Sequence, residues 1–162
     1  RSITVHKGLD MILAEALILR ADINKRIEQI RTRLGNVVRI QEGDAPAENP
    51  AELLAELDRT LKQLNLLIKQ INRTNSQTRF DDARTLTDAL ADRDTLMLQR
   101  TALQGVIKQA SDKQHRYGLA EIREVVTIDV GAVIQQVDTL SQQYRLLDTE
   151  IQRLNWIVDL VE

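Results

Sequence analysis

The sequence predicts an all-α protein: four long helices in an antiparallel bundle or coiled coil, with a small two-stranded β element. The aromatic residues are one Trp, two Tyr and one Phe, so the core must be built from Leu, Ile, Val and Ala, which suits interdigitating helices. Two prolines and six glycines leave few breaks, so the elements must be long. Apolar residues recur at spacings of three and four along most of the chain, which is the period of a packed helix.

The first predicted helix runs from about Leu9 to Leu34, and Gly35-Asn36 provides its stop. The β-rich run VVRIQ, residues 37–41, follows, and after it comes the turn-rich loop EGDAPAEN. The residues that repeat at helical spacing are Leu13, Ala16, Arg20, Ile23, Ile27, Ile30 and Leu34.

The second predicted helix has a sharp start. Asn49 can cap it, Pro50 occupies the first helical position, and Glu52 stands at the reciprocal capping-box position. An unbroken alternation of three and four predicts the face that packs. That face is Leu54, Leu57, Leu61, Leu64, Ile68 and Ile71.

The third predicted helix starts near Thr85 or Thr87 and runs to about Tyr117. Its packed face is Leu86, Ala89, Arg93, Leu96, Arg100, Leu103, Ile107 and Ala110. LAEIREVVTID, residues 119–129, then alternates at period two, and we expect this run to pair as a strand with residues 37–41. Asp129 can cap the fourth helix, which is predicted to run nearly to the C-terminus. Its packed face is Val133, Val137, Leu140, Tyr144, Leu147, Ile151, Leu154, Val158 and Val161.

The last two predicted helices are longer than the first two, which would leave one end of the long pair uncovered. That end contains LNWIVDLVE, in which Trp156, Ile157 and Leu160 add apolar surface outside the packed face. We therefore predict a homo-oligomer with these three residues in the contact.

The charge and the hydrophobic composition limit the kinds of partner that we expect for this protein. The net charge of −2, from 22 basic and 24 acidic residues, argues against nucleic-acid binding. The most apolar window, MILAEALIL, is too short to span a bilayer and contains Glu15, so membrane association is not expected. The sequence predicts a soluble cytoplasmic protein.

Because Met11 stands where a natural start would be, residues 1–10 are predicted to be a leader or a cloning remnant, and residues 11–162 a single helical-bundle domain.

No pattern in the sequence points to catalysis, a cofactor or a metal. Cysteine is absent, and the two histidines, His6 and His115, belong to no Glu-x-x-His pair of the kind that di-iron bundles use. Neither a G-x-S-x-G elbow nor a phosphate-binding glycine loop occurs. We therefore predict no catalytic residues, no cofactor and no metal.

The polar segment 71–94, INRTNSQTRFDDARTLTDALADRD, is the strongest candidate site. One interpretation is a helix–helix connection whose Asn, Asp, Thr and Ser residues supply caps and turns. The other is a site for an anionic small molecule, because the start of the third helix offers free N–H groups beside several arginines. The candidate ligand-binding residues are Asn72, Arg73, Asn75, Thr87, Asp88 and Arg93.

Arg93 and Arg100 stand where a packed helix would place Leu. Three interpretations are open: stems that pack while the charged ends reach water or a carboxylate, a desolvated pairing with an Asp from another helix or subunit, or an anion-binding pair.

Several stretches resemble a bacterial family often labelled septicolysin-like. They are LAEALILRADINKRIEQIRTRL, NPAELLAELD, INRTN followed by RTLTDALADRD, and LNW. The resemblance implies a helical bundle with a small extended element, brings no established activity, and through its label implies a pore-forming cytolysin. A membrane barrel requires many strands of alternating pattern, and the sequence contains one such run, residues 120–129.

Three functional hypotheses follow. The first is a non-enzymatic homo-oligomeric helical scaffold or protein-binding module. The second is a small-molecule or anion binder, including the case of an enzyme, that uses the 71–94 segment. The third is the septicolysin-like cytolysin.

Overall fold

The computed structural model describes residues 11–112 and 125–161, in which four α-helices carry the fold. The helices are α1 (Leu13–Val37), α2 (Pro50–Gln77), α3 (Leu86–Ser111) and α4 (Val130–Asn155). They contain 25, 28, 26 and 26 residues, so the expected division into two short and two long helices is not seen in the described chain. The predicted end of the third helix, residues 113–117, lies outside the described residues.

The all-α class is confirmed, but the predicted β element is wrong for the part of it that the structure describes. Val37 is the last residue of α1, and neither residues 38–41 nor 125–129 form a strand; residues 120–124 lie outside the described ranges. α1 continues through Gly35 because the next turn buries Val37 in a cluster with Leu34 and Leu53. Burying an apolar side chain is worth about 1.5–3 kcal/mol, which exceeds the roughly 1 kcal/mol cost of one helical glycine.

The predicted helix starts are confirmed at two sites. Asn49 Oδ1 accepts a hydrogen bond from the N–H of Ala51 at 2.9 Å, with Pro50 in the first turn of α2. Asp129 Oδ1 accepts from the N–H of Ala132 at 3.0 Å at the start of α4. Each cap satisfies an N–H group that has no partner inside the helix.

The described chain forms two compact units. The first unit comprises residues 11–86 and 152–161, and the second comprises 87–112 and 125–151. The expectation that residues 11–162 form one helical-bundle domain stays a prediction.

In the first unit α1 and α2 pack as an antiparallel pair, but α2 is rotated from its expected orientation. The residues that α2 buries are Leu53, Thr60, Leu67, Ile71 and Thr74. Leu54, Leu61 and Ile68, which were predicted to be packed, are instead exposed. The two threonines can be buried in this row because each donates its hydroxyl to the carbonyl four residues earlier.

The C-terminal segment joins the far end of this pair. The prediction that the fourth helix continues to Val158 and Val161 is wrong, because the helix ends at Asn155. The Val158 carbonyl accepts from the Leu13 N–H at 2.8 Å, and the Leu160 N–H donates to the Met11 carbonyl at 2.8 Å. The Val161 N–H donates to Thr74 Oγ1 at 2.9 Å. Leaving the helix lets the segment satisfy backbone groups beside α1 and a buried hydroxyl of α2.

Arginines of α1 hold the other end of the pair through acidic residues near the start of α2. Arg33 Nε donates to Glu48 Oε2 at 3.0 Å, and Arg26 Nη2 donates to Glu56 Oε1 at 2.9 Å. Glu56 Oε2 also lies 3.6 Å from Arg33 Nη1. The hydrogen bonds from Arg33 and Arg26 lower the pKa values of Glu48 and Glu56, respectively, below their ordinary values.

Thr74→Val should lower the free energy of unfolding by about 1–2 kcal/mol, because the half-buried Val161 N–H then loses its acceptor. Thr95→Val is the matched control: the Thr95 hydroxyl donates only to the Ala91 carbonyl of its own helix, and its side chain is exposed. The control should change the unfolding free energy by less than about 0.5 kcal/mol. Urea denaturation measures the unfolding free energy of both variants. An equal decrease in the two would contradict the proposed role of the hydrogen bond from the Val161 N–H.

Glu56→Gln should destabilise the protein at neutral pH but not in acid. Since folding lowers the pKa of Glu56, its stabilising effect is complete above the ordinary value of 4.5 and is lost as the pH falls through the lowered pKa. Urea titrations at pH 7 and pH 3 measure the difference between the variant and wild type. Glu28→Gln is the control, because Glu28 pairs only with Arg31 on the exposed face of α1. A difference that persists unchanged at pH 3 would contradict the charge-based explanation.

Candidate functional site

The loop within the polar 71–94 segment closes on itself. Leu86 N–H donates to the Thr78 carbonyl at 2.8 Å, and the N–H groups of Phe80 and Asp81 approach the Arg84 carbonyl at 2.9 and 3.3 Å. The backbone between the C-terminal end of α2 and the start of α3 therefore forms a tight hairpin-like turn.

Side chains complete this turn. Asp81 Oδ1 accepts from the N–H groups of Ala83 and Arg84 at 3.0 and 2.8 Å, while Oδ2 accepts from Arg84 Nη2 at 2.7 Å. The Arg84 hydrogen bond is the main reason that the pKa of Asp81 is lowered. The guanidinium carbon of Arg84 also lies 4.9 Å from the centre of the Phe80 ring. These contacts fit the interpretation of the loop as a connection built from caps and turns.

The six candidate ligand-binding residues are divided between the two units. In the first unit, Asn72 and Arg73 are exposed on α2 and Asn75 is half-buried. The second unit contains the other three: Thr87 and Asp88 are exposed at the start of α3, and Arg93 is half-buried. The hypothesis that these six side chains form one anion site stays a prediction.

Arg93 already has carboxylate partners. Its Nη1 lies 3.2 Å from Asp148 Oδ1 of α4, and its Nη2 lies 3.0 Å from Asp94 Oδ1. This geometry corresponds to the interpretation in which a partly desolvated arginine pairs with an aspartate from another helix. An incoming anion would compete with two carboxylates for the same guanidinium group.

Arg100, one helical heptad further along α3, is held differently. Its guanidinium carbon lies 5.5 Å from the centre of the Tyr144 ring, and its Nη2 lies 2.9 Å from Met97 Sδ. The buried Nε has no hydrogen-bond partner within the described chain. Packing of the stem and the aromatic face, rather than a carboxylate, therefore accommodates Arg100.

A charged cleft on the α1–α2 pair is a feature that the sequence reasoning missed. Its volume is about 340 Å³. Its floor is Ile30, and its rim is Asp22, Lys25, Arg26, Gln29, Arg33 and Glu56. The arginines at the rim already pair with Glu48 and Glu56, so the cleft is electrostatically compensated. The seven-residue spacing of Arg26 and Arg33, one face of a helix, is the sequence signal that could have found it.

The three candidate interface residues differ in exposure. Trp156 and Ile157 are each 59% exposed, in the turn that follows α4. Leu160 is half-buried, and its backbone N–H is bonded to Met11. Trp156 and Ile157 therefore form an apolar surface, whereas Leu160 helps to attach the segment that presents it.

Two kinds of site are not found in the described residues. Among residues 11–112 and 125–161, no three His, Asp or Glu side chains are grouped as metal ligands would be. Over the same ranges, no helix has the length and apolar character that crossing a membrane requires.

The chain is similar to a protein of Corynebacterium diphtheriae whose crystal structure has been solved and which is described as a functionally unknown conserved protein. The sequences are 42% identical, the match covers 93% of this chain and 99% of the other, and the TM-score is 0.87. The structural similarity therefore covers nearly the full length of both chains. No curated protein matches the chain.

The septicolysin-like assignment is wrong, because residues 20–160 match the model of a different family. The longer stretches that suggested it are helical sequence with apolar residues at spacings of three and four, and many unrelated helical proteins share that pattern. The cytolysin hypothesis, which depended on that assignment, has no support. The chain belongs to the family of unknown function DUF6847.

Proposed function

We propose that this protein is a non-enzymatic, homo-oligomeric helical scaffold or protein-binding module. The observation that carries the proposal is the exposure of Trp156 and Ile157, which are neighbours in the chain and each 59% exposed. Trp156 is the single tryptophan of the sequence. Tryptophan is enriched among the residues that dominate protein interfaces, because it buries a large rigid area when a partner covers it.

The backbone that presents these two side chains is attached on both sides. Before them, α4 ends with hydrogen bonds from Trp156 and Ile157 N–H to the carbonyls of Arg153 and Leu154. After them, Val158 and Leu160 bond to the start of α1. A surface that is already ordered loses little conformational entropy on association, so more of its contact energy appears as affinity.

The absence of enzymatic activity is proposed from the sequence, in which no nucleophile–base grouping or phosphate-binding motif is recognisable. The charged groups nearest to a site-like arrangement, Arg93 and the rim of the α1–α2 cleft, are paired with carboxylates. These pairs fit a role in holding helices together.

Trp156→Ala and Ile157→Asp should each lower the subunit number of the assembly, because the first removes contact area and the second places a charge in the contact. Light-scattering mass measurement after gel filtration reads the subunit number directly. Since Trp156 is the single tryptophan, its emission in the wild type should also shift to longer wavelength when dilution dissociates the assembly.

Leu66→Asp is the control for these variants. Leu66 is 60% exposed within α2, whereas the Trp156 segment is bonded to the N-terminal end of α1. If the control dissociates the assembly as strongly as Ile157→Asp, the effect is not specific to this surface and the proposed contact is wrong.

A further inference from the structure

The apolar surface of α2 is wider than the surface that α1 covers. The row that faces α1, Leu53, Thr60 and Leu67, is at most 5% exposed. One position further along the helix lies a second row, in which Leu54, Leu61 and Ile68 are 56%, 46% and 37% exposed.

These exposed residues belong to a heptad pattern. We define the α2 stripe as Leu54, Leu57, Leu61, Leu64 and Ile68. The spacing of three and four residues is that of the a and d positions of a coiled coil, which faces a second helix. Leu57 and Leu64 are half-buried at the border with α1, so the stripe is continuous with the core of the α1–α2 pair.

The charges along α2 indicate which occupant fits. Residues 64–77 contain two basic residues and no acidic one, whereas residues 50–63 contain three acidic and two basic residues. The basic residues of the second half are Lys69 and Arg73, and the acidic residues of the first half are Glu52, Glu56 and Asp58. α2 is therefore complementary to a copy of itself that runs in the opposite direction, while a parallel copy would place Lys69 and Arg73 beside the same cations. The helix dipoles also favour antiparallel packing, because the positive N-terminal end of each helix then lies beside the negative C-terminal end of the other.

We propose that the α2 stripe packs antiparallel against the α2 stripe of a second copy, about a two-fold axis between Leu61 and Leu64. Two α1–α2 pairs would then form an intermolecular four-helix bundle. The inference rests on the proposed function, that the chain self-associates, and names a surface and a direction for that association. The facing layers are Leu57 with Ile68 and Leu61 with Leu64, each across the subunit boundary, while Leu54 extends the apolar surface at either end.

This register also places complementary charges beside the stripe. Asp58 follows Leu57 on the solvent side, and Lys69 follows Ile68 on the same side. When Leu57 faces Ile68 of the partner subunit, Asp58 lies within about one helical turn of Lys69 of the partner subunit. Asp58 currently bonds Lys62 of its own helix, at 2.7 Å, in an exposed pair that is easily exchanged.

Leu61→Asp is the first test, and Leu66→Asp is its matched control. Leu66 is on the same helix and is 60% exposed, but its position lies on the opposite side from the stripe. Light scattering on the full chain should show that Leu61→Asp lowers the subunit number, while Leu66→Asp keeps that of wild type. Circular dichroism should show that both variants retain wild-type helicity, because both positions are exposed.

The outcomes separate this inference from the proposed function. If Leu61→Asp keeps the wild-type subunit number while a Trp156 variant lowers it, the stripe is not the contact and the scaffold proposal stands. If the wild type is a monomer, the α2–α2 contact and the proposed homo-oligomer are both wrong, and the α2 stripe is available to a helix of a different protein. Equal losses in Leu61→Asp and Leu66→Asp would also overturn the inference.

Cysteine crosslinking tests the direction without destabilising the contact, and the sequence contains no cysteine to interfere. A mixture of Leu57→Cys and Ile68→Cys chains should form a disulfide-linked dimer of one chain of each kind. Ile68→Cys alone should not crosslink, since the antiparallel register separates the two copies of this position by roughly 16 Å along the helix axis. Crosslinking of Ile68→Cys with itself would indicate a parallel pair, and no crosslink between the two variants would overturn the proposed register.

Discussion

The contact between α1 and the row Leu53, Thr60, Leu67 and Thr74 of α2 is the constraint on which the rest of the first unit depends. It brings the N-terminal end of α1 beside the C-terminal end of α2, where the last residues of the chain find Leu13, Met11 and Thr74 as hydrogen-bond partners. It also brings Arg26 and Arg33 to the acidic residues at the other end. Both ends of the pair are thus closed by polar contacts that only this orientation of α2 permits.

The same contact decides which apolar residues remain outside. α2 carries apolar side chains at Leu53 and Leu67 as well as at the 54/61/68 positions, which is a wider apolar arc than one neighbouring helix covers. Thr60 and Thr74 can lie in the buried row because their hydroxyls are satisfied by carbonyls of their own helix. Leu54 and Leu61 are left at the exposed edge, where burial by a further helix would remove apolar area from water.

Much of the fold could be predicted from local sequence. The contacts made by the candidate site residues could be predicted less well. The four helices and the caps by Asn49 and Asp129 follow from side-chain chemistry within a few residues. The strand predicted at residues 37–41 was wrong because Val37 is buried in the last turn of α1 against Leu53, while Val38 and Ile40 are exposed and belong to no strand. For the polar 71–94 segment, the sequence identified the turn-forming residues. It could not show that Arg84 bonds Asp81, or that Arg93 meets Asp148 from a helix 55 residues away.

By itself, the sequence determined that the chain is helical, where α2 and α4 begin, and that α2 carries a heptad of leucines and isoleucines, because each depends on periodicity or on short-range hydrogen bonds. Only the tertiary structure decided which face of α2 is buried, that α4 ends at Asn155, and that the backbone of Leu160 is bonded to Met11. The physical reason is that periodicity shows how wide the apolar surface of α2 is, but not which part of that surface a neighbouring helix covers. The covered part is decided by the shape of the neighbour and by backbone groups that need partners far away in the chain.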